Sequence, residues 1–383
     1  MPDLKVLLDA TAIPADLGGV GRYVDDLVPE LTACGVNLAM AVQERDVEHF
    51  RGKAPRAHLL PVPSWLTNRG ARMAWEQTGL PRLIGRLRPD VLHSPHYTYP
   101  ALRRCRGLRH RVPVVVTLHD ATFFSHPQAH SQLKQRFFTA AIRRAVRGAD
   151  ALVVPSAATR DETLRFVPGD PRHFHVAYHG VDTDVFHPVD DAERERVAAS
   201  LGLTGRRYIG FLGTLEPRKN VPNLVRAWAS VFRDCEDAPA LVLAGGPGWD
   251  EDIEPALAQV PRHLTVLRPG YLPLEDLPGF LSGCEILAYP SIGEGFGLPV
   301  LEAMACGAAV LTTRELSLPE VGGDAVAYCG SDAQAIARGL VVLDAQPEQR
   351  RELGAAALER AAEFTWRASA QAHVEAYHAA MAR

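Results

Sequence analysis

The sequence predicts an α/β protein built from two doubly wound parallel sheets, and three observations support this class. Short apolar runs alternate with helix-length amphipathic segments along all 383 residues. The runs are continuous stretches of Val, Leu and Ile, which suit strands that are covered on both faces. The alternation is interrupted once, near the middle of the chain, by a stretch with proline and a run of charges. We therefore expect two βα series and two domains.

In the first half, six apolar runs predict strands, and the polar-apolar segments between them predict helices. The predicted strands are Lys5–Asp9, Asn37–Val42, Val91–Ser94, Pro113–Leu118, Ala151–Pro155 and Phe174–Tyr178. The predicted helices are Val20–Ala33, Ala71–Arg88, Gln132–Arg147 and Ala157–Phe166.

The second half repeats the alternation. Its predicted strands are Tyr208–Gly213, Ala240–Ala244, Leu264–Leu267, Glu285–Tyr289 and Ala308–Thr312. Its predicted helices include Val221–Arg233, Leu274–Leu281 and Pro299–Ala305.

The charged, proline-containing stretch Asp184–Glu195 predicts the domain boundary. We expect a first domain over residues 1–187 and a second over residues 196–363. Residues 364–383 predict one further helix, with Trp366 and Tyr377 on one face and no strand beside it. This last helix can dock back on the first domain.

The composition excludes several classes of protein. With 47% hydrophobic and 22% charged residues, the chain is not a disordered one. It has no apolar run long enough to span a bilayer and no signal-peptide pattern at its start, so we expect a cytoplasmic protein. The six cysteines form no C-x-x-C pair, which argues against a zinc site or a disulfide framework. A net charge of −4 argues against nucleic acid as a partner.

One segment departs from this charge balance. Residues 68–111 contain ten arginines against two acidic residues, and Trp65, Met73 and Trp75 lie beside or among them. Cationic and aromatic side chains together suit peripheral contact with an anionic membrane surface. Solvated helix faces explain the same pattern equally well.

The first motif that suggests chemistry is Gly18-Gly-Val-Gly21, which follows the first strand and opens a helix. Glycines let the backbone approach a ligand closely, and a helix N-terminus offers free N–H groups to an anion. The spacing does not match the dinucleotide-binding pattern G-x-G-x-x-G. A tight turn is the alternative interpretation.

The second motif follows the first strand of the second half and runs Gly213-Thr-Leu-Glu-Pro-Arg-Lys-Asn220. Adjacent Arg218 and Lys219 at the carboxyl end of a parallel strand suit a diphosphate, because open α/β sheets bind ligands at that edge. A solvated Arg-Lys turn is an equally good interpretation.

The strongest motif is a glycine-rich turn with Glu294, followed by a helix with Glu302. Pro299 suits the first turn of that helix, and Gly307 suits its C-terminal cap. Both carboxylates can point into one crevice, where they suit sugar or ribose hydroxyls or acid–base chemistry. A favourable interaction of Glu302 with the helix dipole does not explain Glu294, the glycines or Phe296, which we expect to be exposed.

The Glu294-x7-Glu302 pattern resembles retaining glycosyltransferases of family GT4, which have the GT-B fold. The resemblance covers nearly the whole chain and includes an ordered set of further motifs. These are Gly18–Tyr23, Trp75-Glu-Gln77, Pro89-Asp-Val-Leu-His93, His119-Asp120, His179-Gly-Val-Asp182, Glu216-Pro-Arg-Lys-Asn220, Leu318-Pro-Glu320-Val-Gly-Gly and the final helix. The resemblance implies two doubly wound Rossmann-like domains that face each other across a cleft. The glycine-rich loop and the Glu-Pro-Arg-Lys-Asn run look most like the mannosyltransferase branch.

The resemblance also implies roles in the second domain, which would bind the nucleotide sugar. Glu302 would hold the ribose hydroxyls, Glu294 would contact hydroxyls of the donor sugar, and Lys219 would bind phosphate. Arg218 would supply charge that the family often takes from an arginine directly after Gly213, where this chain has Thr214. Further donor contacts are implied for Phe296, Gly297 and Leu298.

The first domain would bind the acceptor and close on the donor. Gly19 and Gly21 would bring N–H groups to the diphosphate, and His119 would act near the reacting carbon of the sugar. With Glu294, Arg218 and Lys219, His119 completes the implied catalytic set. The acceptor-side candidates are Arg22, Tyr23, His93 and Asp120.

The implied reaction is transfer of a hexose with retention of configuration, with mannose from GDP-mannose as the first expectation. The acceptor would be a hydroxyl of a glycan, of a lipid-linked molecule or of a small molecule. A UDP-sugar or dTDP-deoxysugar donor is the main alternative, and an epimerase or an inactive binding protein of the same fold are the others. No cofactor and no metal ion are expected.

Overall fold

The computed structural model describes residues 4–13, 18–101 and 111–383. The chain forms two compact units. Unit 1 combines Met1–Gly180 with Thr365–Arg383, and unit 2 is Val181–Phe364. Each unit contains one parallel sheet with helices around it, so the predicted class of two doubly wound α/β sheets is confirmed.

The sheet of unit 1 has seven parallel strands in the order β3-β2-β1-β4-β5-β6-β7. From β1 the chain first adds strands on one side and then, from β4, on the other side. The carboxyl ends of β1 and β4 therefore form the topological switch point of this sheet. The strands are β1 Lys5–Asp9, β2 Asn37–Gln43, β3 His58–Val62, β4 Val91–Ser94, β5 Val114–Thr117, β6 Ala151–Val154 and β7 Phe174–Val176.

The helices of unit 1 cover both faces of this sheet. Side-chain caps fix four of their starts, from Asn68 for α3, Ser131 for α5, Ser156 for α6 and Thr365 for α15. The helices are α1 Gly18–Ala33, α2 Val47–Lys53, α3 Arg69–Leu87, α4 Thr122–Ser125, α5 Gln132–Gly148, α6 Ala157–Phe166 and the last helix of the chain, α15 Trp366–Met381.

The sheet of unit 2 has six parallel strands in the order β10-β9-β8-β11-β12-β13, with its switch point between β8 and β11. The strands are β8 Tyr208–Leu212, β9 Ala240–Ala244, β10 Val266–Gly270, β11 Ile286–Tyr289, β12 Val310–Thr313 and β13 Ala327–Cys329. The helices are α7 Asp191–Ser200, α8 Val221–Phe232, α9 Ile253–Leu257, α10 Leu277–Gly283, α11 Leu298–Ala305, α12 Leu318–Gly322, α13 Ala333–Ala345 and α14 Pro347–Ala361.

The C-terminal helix α15 belongs to the core of unit 1. Its apolar face, with Trp366, Ala370 and Tyr377, is buried together with residues of β1, α1 and β2. Burial of such a face is the main source of helix stability in proteins. The last segment of the chain therefore completes the core that the first segment begins.

The structure differs from the sequence-based expectation at several places. The units divide after Gly180, so residues 181–187 belong to unit 2 and not to the first domain, and α7 begins inside the expected boundary, at Asp191. The sequence did not indicate β3 and β13, which are the edge strands at one end of each sheet. In the described residues, no helix combines the length and the apolar character needed to cross a membrane.

Candidate functional site

The candidate site of unit 2 lies at the switch point of its sheet. One of its segments, Gly213–Asn220, leaves the carboxyl end of β8, and the other, Pro290–Gly297, leaves the carboxyl end of β11. Because β8 and β11 are neighbours in the sheet, the two segments meet there. The second and third motifs of the sequence are thus brought together by the topology.

Glu294 is the centre of this site. Its Oε1 accepts hydrogen bonds from Lys219 Nζ at 2.7 Å, from Ser291 Oγ at 2.6 Å and from the Tyr289 hydroxyl at 3.0 Å. Its Oε2 accepts one from Arg218 Nη1 at 2.6 Å. The carboxylate is buried, as is Lys219. The two cations that the sequence assigned to a phosphate therefore ion-pair with the carboxylate that it assigned to the sugar.

The charges of this cluster determine its protonation. Burial raises the pKa of Glu294, but Arg218, Lys219 and the donated hydrogen bonds outweigh it and bring the pKa to about 2. Burial and the neighbouring Arg218 lower the pKa of Lys219, while burial and Glu294 raise that of Tyr289. Arg218 also pairs with Glu216 through Nη2 at 2.6 Å. Two cations thus face two carboxylates, and the cluster is neutral overall.

The turn that carries Glu294 is held by hydrogen bonds from other segments. The Ser317 hydroxyl donates to the backbone oxygens of Glu294 and Phe296, both at 2.9 Å. Asn220 donates from Nδ2 to Pro290 O at 3.1 Å. Sequence reasoning assigned no role to Ser317, Ser291, Tyr289 or Glu216, because each acts through a hydrogen bond or ion pair to another member of the site, which the sequence does not show.

The start of α11 follows this turn. Gly297 has φ +104° at the N-cap, and a Cβ atom there would lie 2.9 Å from Leu318 Cδ2, so the position requires glycine. Leu298 is the first helical residue and Glu302 is buried one turn later. Phe296 is not exposed as expected. It is buried, and its ring packs against Phe364 at 5.9 Å. Only its backbone is left for a donor contact.

Gly213 is the first residue after β8 and begins the first segment of the site. Its N–H donates to the carbonyl oxygen of Ala244 at 2.9 Å, which joins the loops after β8 and β9. The loop conformation therefore depends on the neighbouring strand as well as on its own residues.

In unit 1, the predicted site residues His119 and Asp120 follow β5. His119 Nε2 lies 2.7 Å from the carbonyl oxygen of Pro95, and because a carbonyl only accepts, Nε2 carries the proton. Burial lowers the pKa of His119, so the ring is neutral. Asp120 Oδ1 accepts from the backbone N–H and hydroxyl of Thr122. Asp120 therefore fixes the turn into α4, which is a structural use of its carboxylate.

Tyr23 and His93, two acceptor-side candidates, are core residues instead. The Tyr23 hydroxyl contacts His373 Nε2 at 2.6 Å and Thr117 Oγ1 at 3.0 Å. His93 Nε2 lies 2.9 Å from the same Thr117 oxygen, and His93 Nδ1 lies 2.9 Å from the Tyr377 hydroxyl. This buried network joins α1, β4, β5 and α15. It uses the polar atoms that a ligand would need, so we no longer assign these two residues to the acceptor.

The glycines of the first motif lie inside a helix and not in a loop before it. Gly19 and Gly21 occupy the first turn of α1, where the N–H groups have no intrahelical acceptor. Gly19 is exposed, Gly21 is buried and Arg22 is partly buried. These N–H groups keep the anion-binding interpretation open. Within residues 4–13, 18–101 and 111–383, no three His, Cys, Asp or Glu side chains are grouped to hold a metal ion.

Comparison with known proteins agrees with this architecture. The model of the family described as Glycosyltransferase Family 4 matches residues 17–185, and that described as Glycosyl transferases group 1 matches residues 193–360. The O-antigen chain mannosyltransferase B of Escherichia coli is 29% identical, covering 98% of this chain and 99% of that protein. The alpha-maltose-1-phosphate synthase of Mycolicibacterium smegmatis is 31% identical, covering 95% and 96%.

Two solved structures share the fold. Sucrose-phosphate synthase from Thermosynechococcus elongatus superposes with a TM-score of 0.76 at 21% identity, covering 98% of each chain. Anabaena HepE in complex with UDP-glucose superposes with a TM-score of 0.74 at 17% identity, covering 97% and 98%. Both family models match in order, and one relative exceeds 30% identity over almost the whole chain. The chain therefore belongs to glycosyltransferase family 4, and it is a glycosyltransferase of the GT-B fold.

Proposed function

We propose that the protein transfers mannose from GDP-mannose, with retention of configuration, to an acceptor hydroxyl. The observation that carries the proposal is the Glu294 cluster at the switch point of unit 2, with Glu302 one turn into α11. The similarity to an O-antigen chain mannosyltransferase over 98% of the chain supports mannose as the sugar. The acceptor is then a hydroxyl of a glycan, of a lipid-linked molecule or of a small molecule.

The ionised Glu294 acts as a hydrogen-bond acceptor for the donor sugar. Its pKa of about 2 leaves it without a proton to donate at neutral pH. Among the described residues, Oε1 accepts three hydrogen bonds, whereas Oε2 accepts one, from Arg218, and can accept another from a sugar hydroxyl. Glu294 therefore orients the sugar ring and does not protonate the leaving group.

The leaving diphosphate is stabilised by exchange of partners. Because the cluster is neutral, the diphosphate can gain a cation only if Arg218 or Lys219 moves partly away from its carboxylate partner. The N–H groups at the start of α11 also stabilise the negative charge of the diphosphate. The bond from the anomeric carbon to the phosphate oxygen breaks, and a bond to the acceptor oxygen forms on the same face. The acceptor proton passes to the departing phosphate. No protein nucleophile is used.

The donor site is proposed to work without a metal ion or an organic cofactor, on the cytoplasmic side of the membrane.

Peripheral contact with anionic lipid is proposed through the start of α3. There Trp65 is 59% exposed and Met73 38% exposed, and Arg69 is exposed between them. Residues 102–110 of the basic segment lie outside the described part of the chain. Sedimentation with liposomes of anionic lipid tests this contact, and no binding by the wild type overturns it.

Thermal unfolding with GDP, UDP, ADP and dTDP and their common sugars, without metal, tests the donor. A ligand that binds only the folded state raises the melting temperature. We expect GDP and GDP-mannose to give the largest shifts. A selective shift with UDP would replace mannose by a UDP-sugar, and a selective shift with dTDP would indicate a deoxysugar donor. No shift with any of them would contradict the donor site.

Retention is tested without knowledge of the acceptor. Slow hydrolysis of the donor lets water stand in for the acceptor, and proton NMR identifies the first anomer released before mutarotation. We expect the anomer with the configuration of the donor. Initial release of the opposite anomer would rule out same-face substitution.

A further inference from the structure

Tyr289 is a buried residue of the unit 2 site whose hydroxyl lies between two charges. It is the last residue of β11. Its hydroxyl accepts a hydrogen bond from Lys219 Nζ and donates one to Glu294 Oε1 at 3.0 Å. Lys219 Nζ itself donates to the same Oε1 at 2.7 Å. The three side chains therefore contact each other pairwise, and we call them the Lys219–Tyr289–Glu294 triangle.

The direction of each hydrogen bond in the triangle is fixed by charge. An ammonium only donates, and a carboxylate only accepts. Glu294 is ionised, since its pKa is about 2. Burial and the neighbouring Glu294 raise the pKa of Tyr289, so the hydroxyl keeps its proton. That one proton goes to Glu294, and the hydroxyl oxygen receives an N–H of Lys219.

Tyr289 is the member of the triangle that lies on a strand. It pairs with Thr312 of β12, whose hydroxyl donates to the Tyr289 carbonyl oxygen at 2.8 Å. Its ring stacks on Phe211, with 5.8 Å between the centroids. Lys219 and Glu294 lie on the segments that connect strands to helices. Because strands hold functional groups more precisely than loops do, Tyr289 is the member that fixes the place of the other two.

The contacts of Lys219 leave part of its ammonium for a ligand. One of its three N–H groups goes to Tyr289 and one to Glu294, and Nζ donates no further hydrogen bond within the described part of the chain. The Tyr289 ring also faces the ammonium, with Nζ 4.9 Å from its centroid. When a diphosphate draws Lys219 partly away from Glu294, Tyr289 is the neutral partner that can stay bonded to it.

The two charged members depend on the hydroxyl unequally. Without it, Glu294 would keep the hydrogen bonds from Arg218, Lys219 and Ser291. Lys219 would keep only Glu294 as an acceptor for its ammonium. Burial and Arg218 already lower the pKa of Lys219, against the opposing effect of Glu294 and Glu216. Loss of an acceptor would act further against the charged form of Lys219.

We propose that Tyr289 is a positioning residue of the transfer reaction, which keeps Lys219 directed at the diphosphate of the donor while Lys219 exchanges part of its contact with Glu294. The proposal rests on the proposed function of the unit 2 site. A tyrosine that served packing alone would need its ring and one hydrogen-bond partner, and Lys219 would not depend on its hydroxyl.

Lysine NMR on the full chain tests the proposal without any ligand. The sequence contains only four lysines, so selective isotopic labelling of their Cε atoms gives four signals, and Lys219→Arg identifies that of Lys219. Tyr289→Phe keeps the ring and removes the hydroxyl. We expect the titration of Lys219 to move to lower pH in this variant, because a buried ammonium loses an acceptor. An unchanged titration would overturn the proposal.

Nucleotide binding and turnover complete the test. We expect Tyr289→Phe to weaken GDP binding about tenfold, as is typical for loss of a hydrogen bond to a charged group, and to slow donor hydrolysis at least as much. If UDP binds instead, it replaces GDP in this comparison. Unchanged affinity together with unchanged hydrolysis would contradict the role of Tyr289. Failure of the wild type to bind any nucleotide would contradict the donor site, and the lysine titration would still show whether Tyr289 holds Lys219.

Tyr208→Phe is the matched control. Tyr208 is also a buried tyrosine on a strand of unit 2, its hydroxyl donates to Phe280 O at 2.7 Å, and its ring stacks on that of Phe280. The lysine titration and the GDP affinity of this variant should match those of the wild type. An equal change in Tyr208→Phe would mean that the titration reports general destabilisation, and it would overturn the proposal.

Ser291→Ala separates the two bonds of the hydroxyl. Ser291 donates to the same Oε1 of Glu294 but makes no hydrogen bond with Lys219. Its loss should therefore move the Lys219 titration less than Tyr289→Phe does, and an equal movement would show that Tyr289 acts through Glu294 alone, against the proposal. Where Tyr289→Phe does not fold, Tyr289→Met, which also lacks the hydroxyl, replaces it.

Discussion

The two units have the same architecture but hold their polar interiors in opposite ways. In unit 2, Glu294 is ionised and is bonded to Arg218 and Lys219. In unit 1, neutral rings and hydroxyls of Tyr23, His93 and His373 form the buried network. The first arrangement persists over a wide range of pH because its carboxylate has a pKa of about 2. The second depends on histidines that stay uncharged.

The difference extends across each unit. Among the described residues, all seven histidines with a lowered pKa lie in unit 1, and burial is the largest cause for each of them. They are His93, His96, His119, His173, His175, His179 and His373. A similar sheet can thus carry a charged site or an acid-sensitive core, depending on which side chains lie at its strand ends.

The largest expected effect is selective destabilisation of unit 1 by acid. A histidine with a lowered pKa binds fewer protons in the folded state than in the unfolded state. Its stabilisation is complete above 6.5 and is lost as pH falls toward the folded pKa, which is about 4 for His373. Each fully buried histidine contributes up to about 1.4 kcal/mol per pH unit. Asp9 and Glu76, whose pKa is raised, act in the opposite direction and reduce the total loss of stability.

Hydrogen exchange detected by mass spectrometry measures the loss of stability in each unit, once the exchange rates are corrected for the intrinsic effect of pH. Between pH 6.5 and pH 5, peptides from 4–180 and 365–383 should lose protection before those from 181–364. His263→Gln, an exposed position of unit 2, should leave the order unchanged. Earlier loss of protection in unit 2 would show that the buried histidines do not control acid stability.

The next effect concerns the charged cluster. Glu294→Gln keeps the shape of the side chain but removes the charge that orients Arg218 and Lys219. We expect donor turnover to fall about 10²–10³-fold, which is typical for loss of one preorganised electrostatic contact. GDP affinity should change less than tenfold, because the freed cations remain available to phosphate. Initial rates and calorimetric GDP titrations measure the two quantities.

Glu254→Gln is the control for this variant, since Glu254 forms only an exposed ion pair with Arg268. Its rate and affinity should match those of the wild type. A parallel loss of turnover and GDP binding in Glu294→Gln would show that Glu294 serves the nucleotide and not the sugar.

The same contrast explains what could be predicted from the sequence. Strands buried on both faces, such as Lys5–Asp9, form continuous apolar runs and were predicted with the correct bounds. The edge strand His58–Val62 contains Pro61 and has exposed positions, so its pattern resembles that of a loop. Central strands carry a sequence signal because both faces are covered. Of the four edge strands, β7 and β10 also had an apolar run and were predicted, whereas β3 and β13 were not.

For the site, motifs identified residues but not their partners. Glu294, Arg218 and Lys219 were named in one implied catalytic set and lie together in the structure, yet their mutual ion pairs were not foreseen. Tyr23 and His93 were assigned to the acceptor because the motifs that contain them resemble those of the family, whereas their hydroxyl and ring nitrogens bond to residues of α15 at the far end of the sequence. Long-range hydrogen bonds of this kind have no local pattern.

A smaller effect tests the turn that carries Glu294. Gly297→Ala combines a positive φ with a Cβ contact of 2.9 Å to Leu318, and it should destabilise unit 2 by about 2–3 kcal/mol. Gly202→Ala separates the two causes, since Gly202 has φ +72° but open space around it, and should cost about 1 kcal/mol. Urea unfolding of unit 2 measures the free energy of unfolding of both variants. Equal costs would mean that the contact with Leu318 relaxes freely.

The smallest effect tests whether the network of unit 1 acts as a whole. Tyr23 and His93 both contact Thr117 Oγ1, and Tyr377 holds the other nitrogen of His93. Tyr377→Phe removes one hydrogen bond and should cost about 1 kcal/mol of stability. Because the single Thr117 proton sets the direction of both neighbouring bonds, Tyr23→Phe should lower the cost of a subsequent Tyr377→Phe. A double-mutant cycle should give a coupling energy of roughly 0.5 kcal/mol. Strict additivity would mean that α15 is held by independent bonds, and the acid sensitivity of unit 1 would then be the sum of separate histidines.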